Sequence, residues 1–528
     1  MSVGEATKTT RRIVPYMSRF DRRARTGLLV GALAMFFALD VAFLLSMAGL
    51  PFVADSLGQA IIDVLPGFIS IPLIEALHQW AKILLGIGVL VLFEIDGAVT
   101  GLLAAAPGRR DRAVIAIGLL PWVAAYVLAR VFAAERIEPV TSFIDAAGGA
   151  LVFLLGLAFL LPSALAGQEA ASPSRRRALV ATAALAALAG IAALPLSRIT
   201  GFGATNLGNA PTAARRLRTR ADLAPADPAV DAIAGITPRI TANEDHYTVD
   251  TTLVKPRVDV ASWALEIKGQ VESPFSITYD QLLDLEAVEQ AHTLECISNY
   301  VGGDLISTAV WTGVPLRDLL NRAQVKATAY DVVFTSVDGY TDSIPIAKAM
   351  EERTLVAYLM NGKTVPQDHG YPARMLVPNI YGMKNVKWMR TIEVVDYDFR
   401  GYWMQQGWSD SAVVNTNSRI DVPGRTVHWT GGEVTVAGIA FAGSRGISKV
   451  ELSMDGAKTW QPASLEAALA PLTWRRWSFR WSPSGAGKLK LLVRSTDGAG
   501  NTETPVPRDP YPDGATGYDA VDVDVARG

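Results

Sequence analysis

The one cysteine of the chain, Cys296, sits in the stretch His292-Thr293-Leu294-Glu295-Cys296-Ile297-Ser298-Asn299-Tyr300. A lone cysteine forms no disulfide within its own chain and is not half of a C-x-x-C metal clip. Three roles remain: a buried small hydrophobe, a nucleophile, or a single thiolate ligand to a soft metal. Composition alone favours the buried thiol. One cysteine without a C-x-x-C-H run also builds no iron–sulfur centre and no c-type haem.

The elements that must hold this stretch are short strands separated by turns. Residues 263–269 alternate as a strand does, 279–283 open a helix, and 332–336 and 391–395 read as further strands, with Asp338-Gly339-Tyr340 as a turn. Residues 240–400 therefore predict a mixed α+β domain. Beyond it, 433–443, 450–454, 475–481 and 489–494 read as strands, and Asp455-Gly456 and Asp497-Gly498 are turn signals. This spacing predicts an immunoglobulin-like β-sandwich without a disulfide over 401–528. The Pro- and Asp-rich tail after Pro505 is expected to lie along the surface.

Half of the 528 residues are hydrophobic, and the long apolar runs fall before residue 200. Five of them reach the roughly 20 residues that a bilayer crossing needs: near 27–50, 79–105, 113–134, 147–166 and 178–197. The multi-domain chain thus opens with an all-α transmembrane region of five helices over 1–200. The run near 61–74, interrupted by Asp63, Pro66 and Pro72, reads as interfacial or re-entrant. Positive charge marks the cytoplasmic side. It is carried by Arg11, Arg12, Arg19, Arg22, Arg23 and Arg25, by Arg109, Arg110 and Arg112, and by Arg175, Arg176 and Arg177. The expected N-terminus is cytoplasmic, in an inner-membrane protein. Five crossings then put everything past residue 200 on the periplasmic or extracellular side.

Ser174-Arg175-Arg176-Arg177-Ala178-Leu179 also has the form of an internal twin-arginine export signal. Asp40, Glu94 and Asp96 lie inside apolar helices. They suit a proton path or quinone pocket, or protonated packing groups. The membrane portion has one histidine, His78, which rules against a bis-histidine haem within the bundle. Residues 201–239, broken by Gly201, Pro211, Pro225, Pro228 and Pro238, read as a tether with one short helix. Lys plus Arg (49) nearly equals Asp plus Glu (51), so nothing points to nucleic acid.

Four motifs in order then resemble the molybdenum-cofactor oxidoreductases of the sulfite oxidase family. They are Thr293 to Asn299 with Trp311-Thr312-Gly313-Val314-Pro315-Leu316, Ser343 to Met350, Asp368-His369-Gly370-Tyr371-Pro372-Ala373-Arg374, and Tyr381 to Trp388. The resemblance implies a metal held by two sulfurs of a pterin dithiolene and one protein thiolate, which makes Cys296 the metal ligand and catalytic residue. It implies cofactor contacts from Ser298, Asn299, His369 and Arg374, with Lys384, Asn385 and Lys387 holding the pterin or its phosphate. Asn243, His246 and Tyr247 resemble the segment that opens the site in bacterial members. Asp338 is either a pterin contact or a turn residue before Gly339. Trp388 reads as core. The C-terminal domain resembles one that often mediates homodimers.

The chain also departs from the family. Sulfite-oxidising members carry an Asn-Arg-Arg run whose second arginine helps bind the anion, whereas Asn299 is followed by Tyr300 and Val301. Arg317 and Arg400 are the nearby charges in the sequence that can substitute. Tyr300, Trp311, Tyr402 and Trp403 are candidate pocket walls, and aromatic residues more often serve as core. A small neutral oxide of the sulfoxide type suits such a pocket better than sulfite. The expected enzyme exchanges an oxygen atom or electron pair with a small substrate. A separate carrier (quinone, cytochrome or haem membrane protein) would give or take the electrons. The reading from another class is an exported, membrane-anchored binding or structural module with a decayed cofactor site.

Overall fold

Among the described residues, the apolar N-terminal region is helical. The structure, a computed structural model, describes residues 6–47, 52–65, 80–106, 111–132, 139–166, 213–252, 255–256 and 258–527. The chain divides into two units, 1–204 with 251–254, and 205–250 with 255–528.

Among the described residues, the first unit holds α1 (Ala6–Met47), α2 (Val53–Val64), α3 (Trp80–Ala105), α4 (Asp111–Phe132) and α5 (Pro139–Ala166). Three segments are long and apolar enough to cross a membrane: Arg22–Ser46, Trp80–Ala105 and Ser142–Pro162. The expected crossing at 113–134 is helical, with a shorter apolar stretch, Arg112–Leu128. The expected crossing at 178–197 and the arginines at 175–177 lie outside the described residues, as do His78, Arg109 and Arg110.

Glycine spacing brings α1 and α3 together. A Cβ on Gly31 would overlap the Gly97 carbonyl, and one on Gly101 would overlap that of Gly27. Small residues four apart let two backbones meet in this way. The run expected to be interfacial near 61–74 begins inside α2. Val53, Ala54, Leu57 and Ala60 of that helix are buried. The carboxylate of Asp145, from α5, accepts from the Val53 N–H at 2.8 Å, satisfying an otherwise orphaned donor of the first turn.

The second unit begins with an α+β domain. Its strands are β1 (Leu217–Thr219), β2 (Ala264–Gly269), β3 (Phe275–Thr278), β4 (Ala287–Glu295), β5 (Ile306–Pro315) and β6 (Asp331–Ser336). They continue with β7 (Thr341–Pro345), β8 (Leu355–Met360), β9 (Lys363–Thr364), β10 (Arg374–Leu376) and β11 (Met389–Val395). One sheet runs β1-β4-β5-β8-β10, with β9 on β8, and the other runs β3-β2-β11-β6-β7. Leu265, Ile267, Phe334 and Ile392 of the second sheet meet Val314, Val356 and Met375 of the first in one core. Alternation along β2 aims Leu265 and Ile267 inward. Residues 213–239, expected as a tether, carry β1, which pairs in parallel with β4, and a short helix, Pro228–Asp231.

The C-terminal strands are β12 (Asn417–Val422), β13 (Thr426–Trp429), β14 (Val434–Phe441), β15 (Ile447–Ser453) and β16 (Gln461–Pro462). After them come β17 (Ser464–Leu465), β18 (Arg475–Trp481), β19 (Gly487–Asp497) and β20 (Asp519–Arg527). They form a sandwich of two sheets, β12-β14-β18-β17 and β13-β20-β19-β15-β16. Its core joins Val436, Trp477 and Trp481 to Val450, Leu491 and Val523. The tail expected along the surface is corrected here. Asp519–Arg527 is an interior strand, hydrogen-bonded to β13 and β19. The alternation Val521-Asp522-Val523-Asp524-Val525 is a strand pattern, and it buries Val523 and Val525.

Candidate active site

Cys296 follows the last residue of β4, at the start of a loop that returns to β5. Its N–H donates to the Leu305 carbonyl (2.9 Å), and its carbonyl accepts from the Asn299 N–H (3.0 Å). The side chain is buried, and Sγ lies 2.9 Å from Oγ of Ser298. Burial pushes the thiol above its ordinary range, and the Ser298 contact partly opposes this. Gly382 closes the site from another side. A Cβ there would stand 2.6 Å from the Tyr247 hydroxyl and 3.8 Å from Cα of Cys296.

Two histidines and two basic side chains form one cluster, and Lys387 of that cluster acts on the thiol. The rings of His246 and His369 are 5.1 Å apart, edge to face, and His246 also meets Tyr247 and Trp311. His369 donates from Nε2 to the Asn243 carbonyl at 2.8 Å. His246 turns Nδ1 to the Tyr247 carbonyl at 3.2 Å, which leaves Nε2 buried without a partner. Burial first, then the neighbouring His369, Arg374 and Lys387, lowers His246 to about 3. Burial brings His369 down to about 4. Both rings are neutral near neutral pH.

Arg374 lies on β10, almost fully buried, with its guanidinium 5.2 Å from the centre of the Trp311 ring. It donates to the carbonyls of His369 (3.0 Å), Asn385 (3.0 Å) and Met375 (3.4 Å). Burial lowers it to about 10. Lys387 reaches Asp250 (3.0 Å) and the Asp368 carbonyl (3.1 Å). Gly370, at φ +111°, permits this convergence, because a Cβ there would press on Lys387 and Arg374.

The remaining expected site residues spend their side chains on the protein. Asn299 donates to Glu295 (3.0 Å) and accepts from the Leu305 N–H (3.0 Å). Asn385 accepts from the Val377 N–H (2.7 Å) and donates to the carbonyls of Ile380 and Tyr381. Asn243 is tied to Met360 and Asn361. Asp338 accepts from the Tyr340 N–H, a turn contact. Lys384 is directed to Asp342, the Ser343 carbonyl and the Met404 sulfur. Trp388 is core, and its indole N–H donates to the Gln367 carbonyl.

Of the two arginines considered as substitute anion contacts, Arg317 pairs with Glu352 on a half-exposed helix and Arg400 is exposed. Trp311 is fully buried against His246, Tyr300 is 39% exposed, and Tyr402 packs between Tyr340 and Trp403.

Sequence reasoning passed over Glu295. Its carboxylate is buried beside the cysteine, and it accepts from Asn299 and Asn417 at 3.0 Å each. Burial raises it to about 7, with the two amides opposing. Its adjacency to Cys296 was the available signal. Asn417 lies far along the chain and gave none.

This donor set fits a molybdopterin. The protein supplies one soft ligand, the lone thiol. Near it stand buried or half-buried cationic groups, of which Lys387 is paired with Asp250, and an unpartnered ring nitrogen on His246. An anionic guest with hydrogen-bonding ring edges answers both the charge and the vacant acceptor.

Comparison with known proteins agrees. Residues 252–403 match the oxidoreductase molybdopterin binding domain, and 405–509 match the Mo-co oxidoreductase dimerisation domain. The molybdopterin-binding match implies a molybdenum cofactor. The chain is 31% identical over 314 residues to human mitochondrial sulfite oxidase, which covers 50% of this chain and 57% of that one. It is 29% identical over 322 residues to a barley NAD(P)H nitrate reductase, covering 49% of this chain and 36% of that one. The chain thus spans little more than half the length of the human relative. The crystal structure of sulfane dehydrogenase SoxCD from Paracoccus pantotrophus aligns with a TM-score of 0.49 at 21% identity, over 57% of this chain and 86% of that one. With the two domains matched in this order, residues 252–509 carry the domain pair of sulfite oxidase family molybdopterin oxidoreductases.

Proposed function

We propose that the protein is a membrane-anchored molybdenum-cofactor oxidoreductase whose active site lies on the extracytoplasmic face, with Cys296 as its metal ligand. The observation that carries this is the buried lone thiol, on which Lys387 acts, together with the cluster that Lys387 forms with Arg374, His246 and His369, which offer one soft ligand and a cationic cradle. When bound, the cofactor supplies oxygen-atom and two-electron exchange, and the protein supplies ligation, orientation and access. Arg374 and Lys387 hold anionic groups, neutral His246 accepts a hydrogen bond at Nε2, and the Asn299 and Asn385 amides fix the two loops that enclose the site. Three long apolar helices support membrane anchoring. The clusters of arginine support a cytoplasmic N-terminus. The matched dimerisation domain supports a homodimer. Two electrons are exchanged with a separate carrier, which supplies them where the substrate is a sulfoxide-type oxygen donor.

The substrate class follows from charge. Tyr300 and Val301 stand where the family resemblance places arginines, and Arg317 is engaged by Glu352. A neutral sulfoxide-type substrate is therefore favoured over sulfite. The test is molybdenum content of the detergent-purified protein and its Cys296→Ser variant, with the Mo(V) paramagnetic resonance of each. Near-stoichiometric metal in the parent and a changed or absent signal in the variant are expected. A metal-free parent from a host that makes the cofactor would leave the anchored module with a decayed site.

A further inference from the structure

The β-sandwich reaches the cysteine loop at both of its ends. Asn417 on β12 donates from Nδ2 to Oε2 of Glu295 at 3.0 Å. Two residues along the same strand, Arg419 donates from Nη1 to the Gly303 carbonyl at 2.6 Å. Residues two apart on a strand share a face, so one face of β12 meets the loop before Cys296 and again after it. Just upstream, the Thr293 N–H donates to the Leu472 carbonyl (3.0 Å) and the Trp474 N–H donates to the Thr293 hydroxyl (3.0 Å).

Within the loop, the Asn299 amide ties Glu295 to Leu305. Gly303 fits because a Cβ there would overlap the oxygen of that same amide. Arg419 is itself held by Asp421 (2.8 Å) and Thr237 (2.8 Å), so its fork is fixed before it meets Gly303. The hydrogen bonds of the Cys296 backbone stay within this loop region.

We infer that Asn417 and Arg419 are positioning residues for the Cys296 thiol, and that the C-terminal sandwich sets the loop conformation that presents Sγ to the site. Its catalytic meaning rests on the reading of Cys296 as ligand, while the loop geometry does not. A domain matched as a dimerisation module thereby has a second role, in shaping the catalytic centre of its own chain.

The test is alkylation of the lone cysteine by iodoacetamide in the full-length protein, made in a host without the cofactor and followed by mass spectrometry. Parent protein reacts slowly, because the thiol is buried. Asn417→Ala and Arg419→Met are each expected to raise the rate on the order of tenfold, the change in local opening that loss of one charge-assisted hydrogen bond brings. Asn417→Gln recovers part of the protection. Arg494→Ala, which removes a partner of Glu451 on the sandwich without touching the loop, leaves the rate unchanged. In cofactor-loaded protein, Asn417→Ala shifts the Mo(V) signal at unchanged metal content. Parental alkylation rates in both loop variants overturn the inference, and so does an equal rise in Arg494→Ala. A metal-free parent would defeat the proposed function, and the alkylation rates would still decide this point.

Discussion

The ammonium of Lys384 lies 2.9 Å from Oδ1 of Asp342, and both side chains are shut away from water. Asp342 begins the second half of the β6–β7 hairpin, and Lys384 belongs to the motif that returns toward the cysteine. The pair therefore pins two motif segments to each other. Removing one partner leaves the other charge buried and unpaired. Lys384→Met should destabilise the folded domain by about 3–5 kcal/mol. The double variant Lys384→Met with Asp342→Leu should recover most of that loss, because an apolar pair of similar volume replaces the ions. Urea unfolding of the detergent-solubilised protein checks both. If the double variant is no more stable than the single one, the pair is not the energetic unit.

Glu503 gives a pH dependence in the sandwich. Its carboxyl is almost fully buried, with Oε1 accepting from the N–H (3.1 Å) and hydroxyl (2.6 Å) of Ser495 and Oε2 without a partner. Burial raises it from 4.5 to about 8. The folded state thus keeps a proton that the unfolded chain releases at lower pH. Its stabilising contribution is full below about 4.5 and declines as pH rises toward about 8. Glu503→Gln, always neutral, should flatten that decline, gaining on the order of a few kcal/mol over the parent at alkaline pH. Melting curves from about pH 5 to about pH 9 test it, and parallel curves for parent and variant would refute it.

Much of this architecture was legible in the sequence, and the exceptions have physical causes. Period-two alternation located the strand ending at Gly269, because one of its faces is buried. The cysteine motif was legible because a lone thiol among ordered motifs has few uses. What the sequence hid was the spending of side chains. Asn299, Asn385 and Lys384 read as cofactor contacts, yet local sequence does not show that the Asn299 amide meets the Glu295 carboxylate, the Asn385 amide the Val377 N–H and the Lys384 ammonium Asp342. The tail misled through composition, since its Asp residues alternate with valines that enter the core. Asn417 escaped notice because its partner, Glu295, lies more than a hundred residues away.

The helical unit has its own test. Gly31 of α1 and Gly97 of α3 leave no room for a side chain between them, whereas Gly86 of α3 has open space. Gly31→Leu forces the two backbones apart and should cost about 1–3 kcal/mol or more of helix packing. The observable is earlier thermal aggregation in detergent, with Gly86→Ala as a silent control. Equal aggregation temperatures for parent and Gly31→Leu would show that this crossing does not hold the bundle.

On the proposed reading, the charge at the cysteine loop decides between an anionic and a neutral substrate. Val301 borders a small cleft with Glu295, Asn299, Tyr300 and Arg419. It stands at the position where the family resemblance puts an anion-binding arginine. Arg419 does not serve in its place, because its donors are committed to Gly303, Asp421 and Thr237. Val301→Arg should therefore create an anion contact that the parent lacks. One charge-assisted hydrogen bond in a partly buried site corresponds to roughly 10- to 100-fold in affinity. Sulfite should bind the variant more tightly by about that factor, read as competition against a neutral sulfoxide, whose own binding should be unchanged or weaker. Equal sulfite affinity in parent and variant would mean that anions reach the metal site by another route, and the preference for a neutral substrate would lose its basis.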